Sequence, residues 1–428
     1  MNKKQSCLFT LLILGMLLAL LGCAGQSVSS PAELEAPGGP AQAQGADIDQ
    51  TQDAEEPPEA PAEPAPPPEP TVSTLVVCGD VMSHMPVTND AWDAETSSYD
   101  YRHILQEAKP LISGADYAVA NLETTFAGGP NYSGYPNFNS PDALADGLLD
   151  AGFDLLLTAN NHCMDKGFSG LCRTLDVLDE TGLAHVGTSR TEEEFESNIA
   201  VADVGGISVA FLGFTYGTNG IPLSKDAPYS VNLFNTDYLT NLSSLDEERL
   251  LSALDQAKSL DTDLIAVMIH WGIEYKTKQN SYQERIAQFL FDHGADIVLG
   301  GHPHVLQPME LRTLERDGAE RQGFVCYSLG NFISSQVYDL TDTTVILELE
   351  LTRDNETGVA QVTNYTYTPM LMLNRGSGAS ERFVLLDAHK ALASGEDSGA
   401  AKKCRQAVDS CRSILGDEHE ADFSAKIS

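Results

Sequence analysis

The stretch ADIVLGGHPHVLQP, Ala295 to Pro308, decides how the chain is read. An apolar run ends on two glycines and then on two imidazoles flanking one proline, in a chain with only 10 histidines. Five more runs share its form: TLVVCGD (74–80), YAVANLE (117–123), FDLLLTANNH (153–162), DLIAVMIHWG (263–272) and GFVCYSLGNF (323–332). Short Val-, Ile- and Leu-rich runs bounded by glycine or polar corners read as buried strands. Between them lie patterns with helical spacing: SPDALADGLLDAG (140–152), LCRTLDVLDETGL (171–183), EERLLSALDQAKSL (247–260) and YQERIAQFLFDHGA (282–295). Several close on glycine, the usual helix terminator. Strand alternating with helix predicts an α/β fold. Two segments read as antiparallel hairpins instead, IAVADVGGISVAFLGF turning at Gly205-Gly206 and TVILELELTRDNETGVAQVTNYTYTP turning at 355–358. A mixed sheet, or two sheets between helices, accounts for both kinds of segment better than a simple doubly wound sheet.

The chain has 428 residues, 42% of them hydrophobic, enough for a real core. Its formal net charge of −37 argues against sequence-independent nucleic-acid binding, which needs a basic surface. MNKK followed by the apolar Leu8 to Leu20 reads as a signal peptide, residues 1–22, too short to span a membrane comfortably. The following LLGC resembles a lipobox, which implies a diacylated Cys23 and a protein anchored on the extracytoplasmic face of the cell membrane. Residues 26–70 hold eleven of the 21 prolines and no Lys or Arg. Such text cannot bury enough surface to fold and favours extended polyproline segments. Residues 23–70 are therefore expected to be a disordered acidic tether, 71–373 the folded domain, and 374–428 a helical or partly disordered extension. Cys78 and Cys326 sit inside strand-like runs as small hydrophobes, and no disulfide is expected.

Polar residues collect where the strands end, and in open α/β folds that rim is where ligands bind. Asp80, Asn121, Glu123, Asn160, Asn161, His162, His270, His302, His304 and Asn331 all fall there. Carboxylates, amides and imidazoles converging on one rim form the donor inventory of a dinuclear metal site: imidazole suits Zn or Fe, carboxylate and amide suit Mn or Mg. Pro303 disfavours helix at the residue before it. An extended HPH segment would project His302 and His304 to one side.

Taken in order, GDVM, NLE, ANNHCMDKG, HWGIEY, GGHPHVLQP and YSLGNF resemble the CapA family of capsule and poly-γ-glutamate synthesis proteins, over about Leu75 to Gln336. That family is similar to the calcineurin-like metallophosphoesterases, so the resemblance implies a four-layer αββα sandwich with mixed sheets and two divalent metal ions (Mn, Zn, Fe or Mg). It further implies metal ligation by Asp80, Glu123 (bridging), Asn161, His270, His302 and His304. His162 would be the general acid, and Asn160 is an alternative to Asn161. Apart from the resemblance, Asp165, three residues after His162, is placed either to orient that imidazole or to cap a helix. The phosphoesterase Asp-x-His is replaced here by Asp80-Val81-Met82, with the nearest imidazole at His84 and a place over the substrate open to it. Glu123 stands where phosphoesterases have Asp. Trp271 is expected to pack beneath the metal loop, Glu274 to meet His270 or solvent, and Asn331 to bond a ligand or make a turn.

Two functions follow. One is a surface protein of capsule biosynthesis that handles an anionic polymer such as poly-γ-glutamate without hydrolysing it, within a capsule-synthesis complex. The other is a metal-dependent hydrolase of phosphoesters. An acidic domain should repel a polyanion unless metals or a local patch such as Lys276 and Lys278 mediate contact.

Overall fold

The computed structural model describes residues 67–422, apart from 317, 396 and 397. The expected signal peptide, Cys23 and nearly all of the tether lie outside the described residues. Strand β1 (Thr71–Val81) leads into α1 (Met85–Asp90) and a small ribbon, β2 (Trp92–Asp93) with β3 (Ser98–Tyr99). Helices α2 (Arg102–Leu105) and α3 (Lys109–Ile112) precede β4 (Tyr117–Leu122). Then come α4 (Ala143–Ala151), β5 (Leu155–Leu157), α5 (Gly167–Thr181), β6 (Ala184–Val186) and α6 (Glu192–Glu196). The hairpin β7 (Ala200–Val204) and β8 (Ile207–Thr215) follows, then α7 (Glu247–Lys258), β9 (Leu264–His270), α8 (Ser281–Asp292) and β10 (Ile297–Gly301). The chain closes with β11 (Leu306–Arg316), β12 (Ala319–Leu329), β13 (Asn331–Ile333), β14 (Thr343–Arg353), β15 (Ala360–Asn374), β16 (Phe383–Asp387), α9 (Ala388–Ser394) and α10 (Ser398–Leu415).

Two mixed sheets result. The first runs β16-β15-β14-β1-β4-β5-β6, with β13 beside the end of β1; the second runs β11-β12-β10-β9-β8-β7. Period-two alternation makes each central strand apolar on both faces. Leu75 and Val77 of β1 face the core between the sheets, meeting Val209, Phe211 and Ala266 from the second sheet. Val76 and Cys78 face outward onto α2 to α5. Leu212, Val267 and Val298 do the same on the other side, against α7 and α8. Helices, sheet, sheet, helices: the architecture is the expected αββα sandwich.

Both predicted hairpins form, β7–β8 and β14–β15. However, β8 also pairs in parallel with β9, so its carboxyl end reaches the same rim as the other strands. The boundary placed at 373 falls inside β15, and the segment expected as an extension supplies β16 to the first sheet. Helix α10 then packs Cys404, Ala407 and Val408 on Leu371, Leu373 and Leu386, while Cys411 and Leu415 join the core between the sheets. Apolar spacing on α10 gives it a face to bury, and the exposed flank of β15 and β16 is what it covers. No disulfide joins the described cysteines.

Candidate metal centre

Parallel strands that share a direction must end on one side, and the rim so formed is built from both sheets. Asp80 closes β1, Glu123 follows β4, and the Asn160-Asn161-His162 corner follows β5. From the second sheet come His270 at the end of β9 and His302 and His304 after β10. All six predicted ligands and His162 are at most 5% exposed. One oxygen or ring nitrogen from each of Glu123, His302 and His304 lies within 4.8 Å of the others, and the same holds for Asp80, Glu123 and His270. Glu123 belongs to both groups.

Close approach of β10 to β12 in its own sheet and to β1 in the other depends on the glycines before the first imidazole. A β-carbon on Gly301 would lie 2.6 Å from Asp80 Oδ1, and one on Gly300 would lie 2.2 Å from the Tyr327 carbonyl oxygen. The HPH corner departs from the extended form expected of it. His302 and His304 have φ of 98° and 59°, the left-handed region that non-glycine residues rarely adopt. Tertiary bonds hold this conformation: the His302 amide donates to Asp80 Oδ2 at 3.2 Å, and the Tyr275 amide donates to the Pro303 carbonyl at 2.8 Å. The rings end 5.8 Å apart and inclined by 59°, both still directed toward Glu123.

Asp80 receives Asn121 Nδ2 at 2.8 Å on Oδ1, and His304 Nδ1 lies 3.3 Å from its Oδ2. Burial alone would raise the Asp80 pKa, but the hydrogen bond and charge of His304, with His270 and Asn121, outweigh it and leave the carboxyl below its ordinary value. At His304 burial opposes the charge, yet the Glu123 and Asp80 carboxylates prevail and lift the imidazole to about 9. His302 behaves oppositely: burial first, then the neighbouring His270 and His304, push it well below the ordinary histidine value. A neutral imidazole is the form that binds a cation.

Of the two adjacent asparagines, Asn161 is the one whose side chain reaches a residue of the donor groups. Its Oδ1 lies 3.0 Å from His270 Nε2, and its Nδ2 donates to Asn219 Oδ1 at 3.2 Å. Asn160 instead braces the loop, donating to the Leu122 carbonyl at 2.7 Å and accepting the His162 amide at 3.1 Å. His162 Nδ1 lies 2.7 Å from Asp165 Oδ2, which also accepts the Phe138 amide at 2.7 Å. Asp165 therefore orients the imidazole rather than capping α5, and His162 Nε2 faces Glu123 Oε1 at 4.0 Å. His84 stays outside the donor set: its ring edges Phe138 at 5.0 Å, and Phe138 edges His162 at 4.8 Å. Trp271 packs beneath the centre, stacked on Tyr327 and donating Nε1 to the Tyr327 carbonyl at 2.9 Å. Glu274 faces solvent, and Asn331 Nδ2 bonds Gln336 and the Thr341 carbonyl.

Two site residues were missed in the sequence, Tyr216 and Asn219. The Tyr216 ring lies 4.7 Å from His302 and 6.1 Å from His270. They follow β8, and the strand-end pattern in FLGFTYG was the signal that could have found them.

The donor set passes one physical test for a metal. Glu123 Oε1 and Oε2 and His302 Nδ1 are buried with no hydrogen-bond partner. Leaving a carboxylate in that condition costs several kcal/mol, on the order of 1–3 kcal/mol per orphaned atom or more when charged. A divalent cation is the partner whose chemistry fits two carboxylates, an amide oxygen and three imidazoles.

The family model described as bacterial capsule synthesis protein PGA_cap matches residues 74–336. The capsule biosynthesis protein CapA of Bacillus anthracis is 30% identical over 295 residues, covering 68% of this chain and 66% of that protein. The PGA biosynthesis protein CapA of Bacillus subtilis (strain 168) is 30% identical over 264 residues, covering 61% and 64%. The chain thus spans just under two thirds of the length of these relatives. Among solved structures, a novel phosphatase from Mycoplasma pneumoniae aligns with 71% of this chain and 95% of its own, at 14% identity and a TM-score of 0.39.

Proposed function

This chain belongs to the PGA_cap family of bacterial capsule synthesis proteins, and from that premise we propose that it works in capsule biosynthesis at the cell surface, handling an anionic polymer such as poly-γ-glutamate through a dinuclear divalent-metal centre. The single observation that carries the metal reading is Glu123, a fully buried carboxylate whose two oxygens have no hydrogen-bond partner, ringed by imidazoles and with a place in both donor groups. Asp80 and His270 would complete one site with it, His302 and His304 the other, and Asn161 would add an amide oxygen. A pair of such ions supplies Lewis acidity toward a phosphoryl or acyl oxygen and acidifies bound water. It also resolves the charge problem, since cations at the rim can receive carboxylate groups that an acidic protein would otherwise repel.

The chain's own residues do the remaining work. Glu123 and the imidazoles are held dry and preoriented by the two sheets. Asp165 fixes His162 with Nδ1 toward itself, so that Nε2 is the nitrogen presented to the centre and able to hold or release a proton there. That pair supports the second reading, a metal-dependent phosphoesterase. Lipid anchoring through Cys23 places the whole activity outside the cell membrane, and assembly with other capsule-synthesis proteins belongs to the same proposal.

Metal content of the purified full chain, with Glu123→Gln and His302→Ala as controls, tests the centre. About two ions per chain, reduced in both variants, is the expected result. With ions bound, turnover of a chromogenic phosphodiester would favour the hydrolase, and none would favour polymer handling. No bound metal in any condition sinks both.

A further inference from the structure

Of the two tryptophans in the chain, Trp271 is 1% exposed and Trp92 is 44% exposed. Packing explains the first and leaves the second without a role. Trp92 and Tyr99 sit opposite each other on the β2–β3 ribbon, rings 4.9 Å apart at 63°. Tyr99 in turn meets Tyr132 edge-on, at 5.2 Å and 83°. An edge-on contact covers one face of only one ring in each pair and leaves the other faces open. These three rings, with Pro130 and Pro141, line a cleft of about 690 Å³, within the range that takes a small ligand.

We propose that this cleft binds a neutral saccharide chain. A pyranose ring carries C–H groups on its faces and hydroxyls around its edge, and the lining offers partners for both: aromatic rings and oxygen acceptors. Ser97, Ser98 and Asp146 supply those oxygens. Charge selects against the other candidates. No lysine or arginine lines the cleft among the described residues. The guanidiniums beside it are engaged: Arg173 bonds Asp142 through both terminal nitrogens, at 2.8 and 2.7 Å, and Arg102 bonds Asp100 at 2.7 Å. A polyanion, whether nucleic acid or poly-γ-glutamate, therefore finds carboxylates and no free cation here. Tyr132 and Phe138 lie on one loop, closed by a bridge between Ser133 and Asn139, and Phe138 packs on His162. Glycan in the cleft would thus sit on the loop that also borders the metal centre. The inference stands without the metal reading.

Intrinsic fluorescence tests it, because Trp92 is the exposed indole. The full chain in detergent is titrated with cellotetraose and with the N-acetylglucosamine tetramer. Expected is a saturable change in emission with a dissociation constant of about 1 mM or tighter for at least one of them. Trp92→Ala should weaken binding about tenfold, and Trp92→Phe, which keeps a ring face, should retain it by calorimetry. Tyr132→Ala serves as the second variant should Trp92→Ala melt early. No saturation with either tetramer, binding unchanged in both alanine variants, or tighter binding of tetramethylammonium or of a γ-glutamate tetramer would overturn the proposal.

Discussion

Gly301 and Asp80 are in contact across the two sheets: a β-carbon on the glycine would lie 2.6 Å from Oδ1 of the aspartate. That carboxylate is buried and held by Asn121 and His304, so it has nowhere to retreat. Gly301→Ala is expected to destabilise the fold by about 1–3 kcal/mol through overpacking and to abolish the rise in melting temperature on adding metal. Scanning calorimetry with and without Mn or Zn reads both, and a variant matching the parent in each would refute the contact's role.

Glu123→Gln should separate folding from metal binding. Removing the charge that helps lift the buried His304 imidazole should lower the stability of the chelator-treated protein, so the metal response is read as the difference with and without metal in each protein. Metal added at a hundred times its dissociation constant should stabilise the parent by about 2.7 kcal/mol and the variant hardly at all. A full metal response in the variant contradicts the bridging assignment.

Asp165→Asn tests orientation of His162 alone. The carboxylate lies 2.7 Å from the ring and its side chain is fully buried, while it takes no part in either donor group. Metal content should be unchanged. Where the parent hydrolyses a phosphodiester, the rate should fall by about a hundredfold, and an unchanged rate would remove His162 from the chemistry.

Asp296 predicts a pH dependence remote from the centre. Burial raises its carboxyl from 3.8 to about 6, against the Ile265 amide bond and the Arg316 charge. A carboxyl raised in the folded state keeps its proton where the unfolded chain has lost it. Its stabilising contribution is therefore complete below about 3.8 and is lost as pH rises through about 6. Asp296→Asn keeps an acceptor for Ile265 and removes the titration. It should exceed the parent by on the order of 2–3 kcal/mol at about pH 7.5 and lose that advantage near pH 4, measured by urea unfolding. A constant difference across that range would contradict it.

The site was legible in the sequence because chemistry gathers where parallel strands stop, and that rule alone brought Asp80, Glu123, His270, His302 and His304 to one rim. It failed for Tyr216 and Asn219 because β8 was assigned only its antiparallel partner, β7; the parallel pairing with β9 is a long-range contact that local text does not carry. The conformation of HPH was misjudged for a related reason. Positive φ at His302 and His304 is imposed by Asp80 and Tyr275, far away in the chain, and local preference points elsewhere. Nor could alternation choose between Asn160 and Asn161, since both lie beyond the end of β5. In the fold, the boundary at 373 was misplaced because the glycine-containing turn after β15 reads as the end of a domain until β16 is seen paired to it.

Strand β1 carries Asp80, and on one flank its partner is β14. The residues shared with the family end at 336, before β14 begins at Thr343. A fragment trimmed to that shared block would leave the aspartate-bearing strand with a raw edge of unmet amides and carbonyls, ready to recruit a neighbouring molecule. The late-arriving strands, though remote from the donor atoms, thus act as the guard that keeps copies of this protein from zipping together through the strand on which the centre depends.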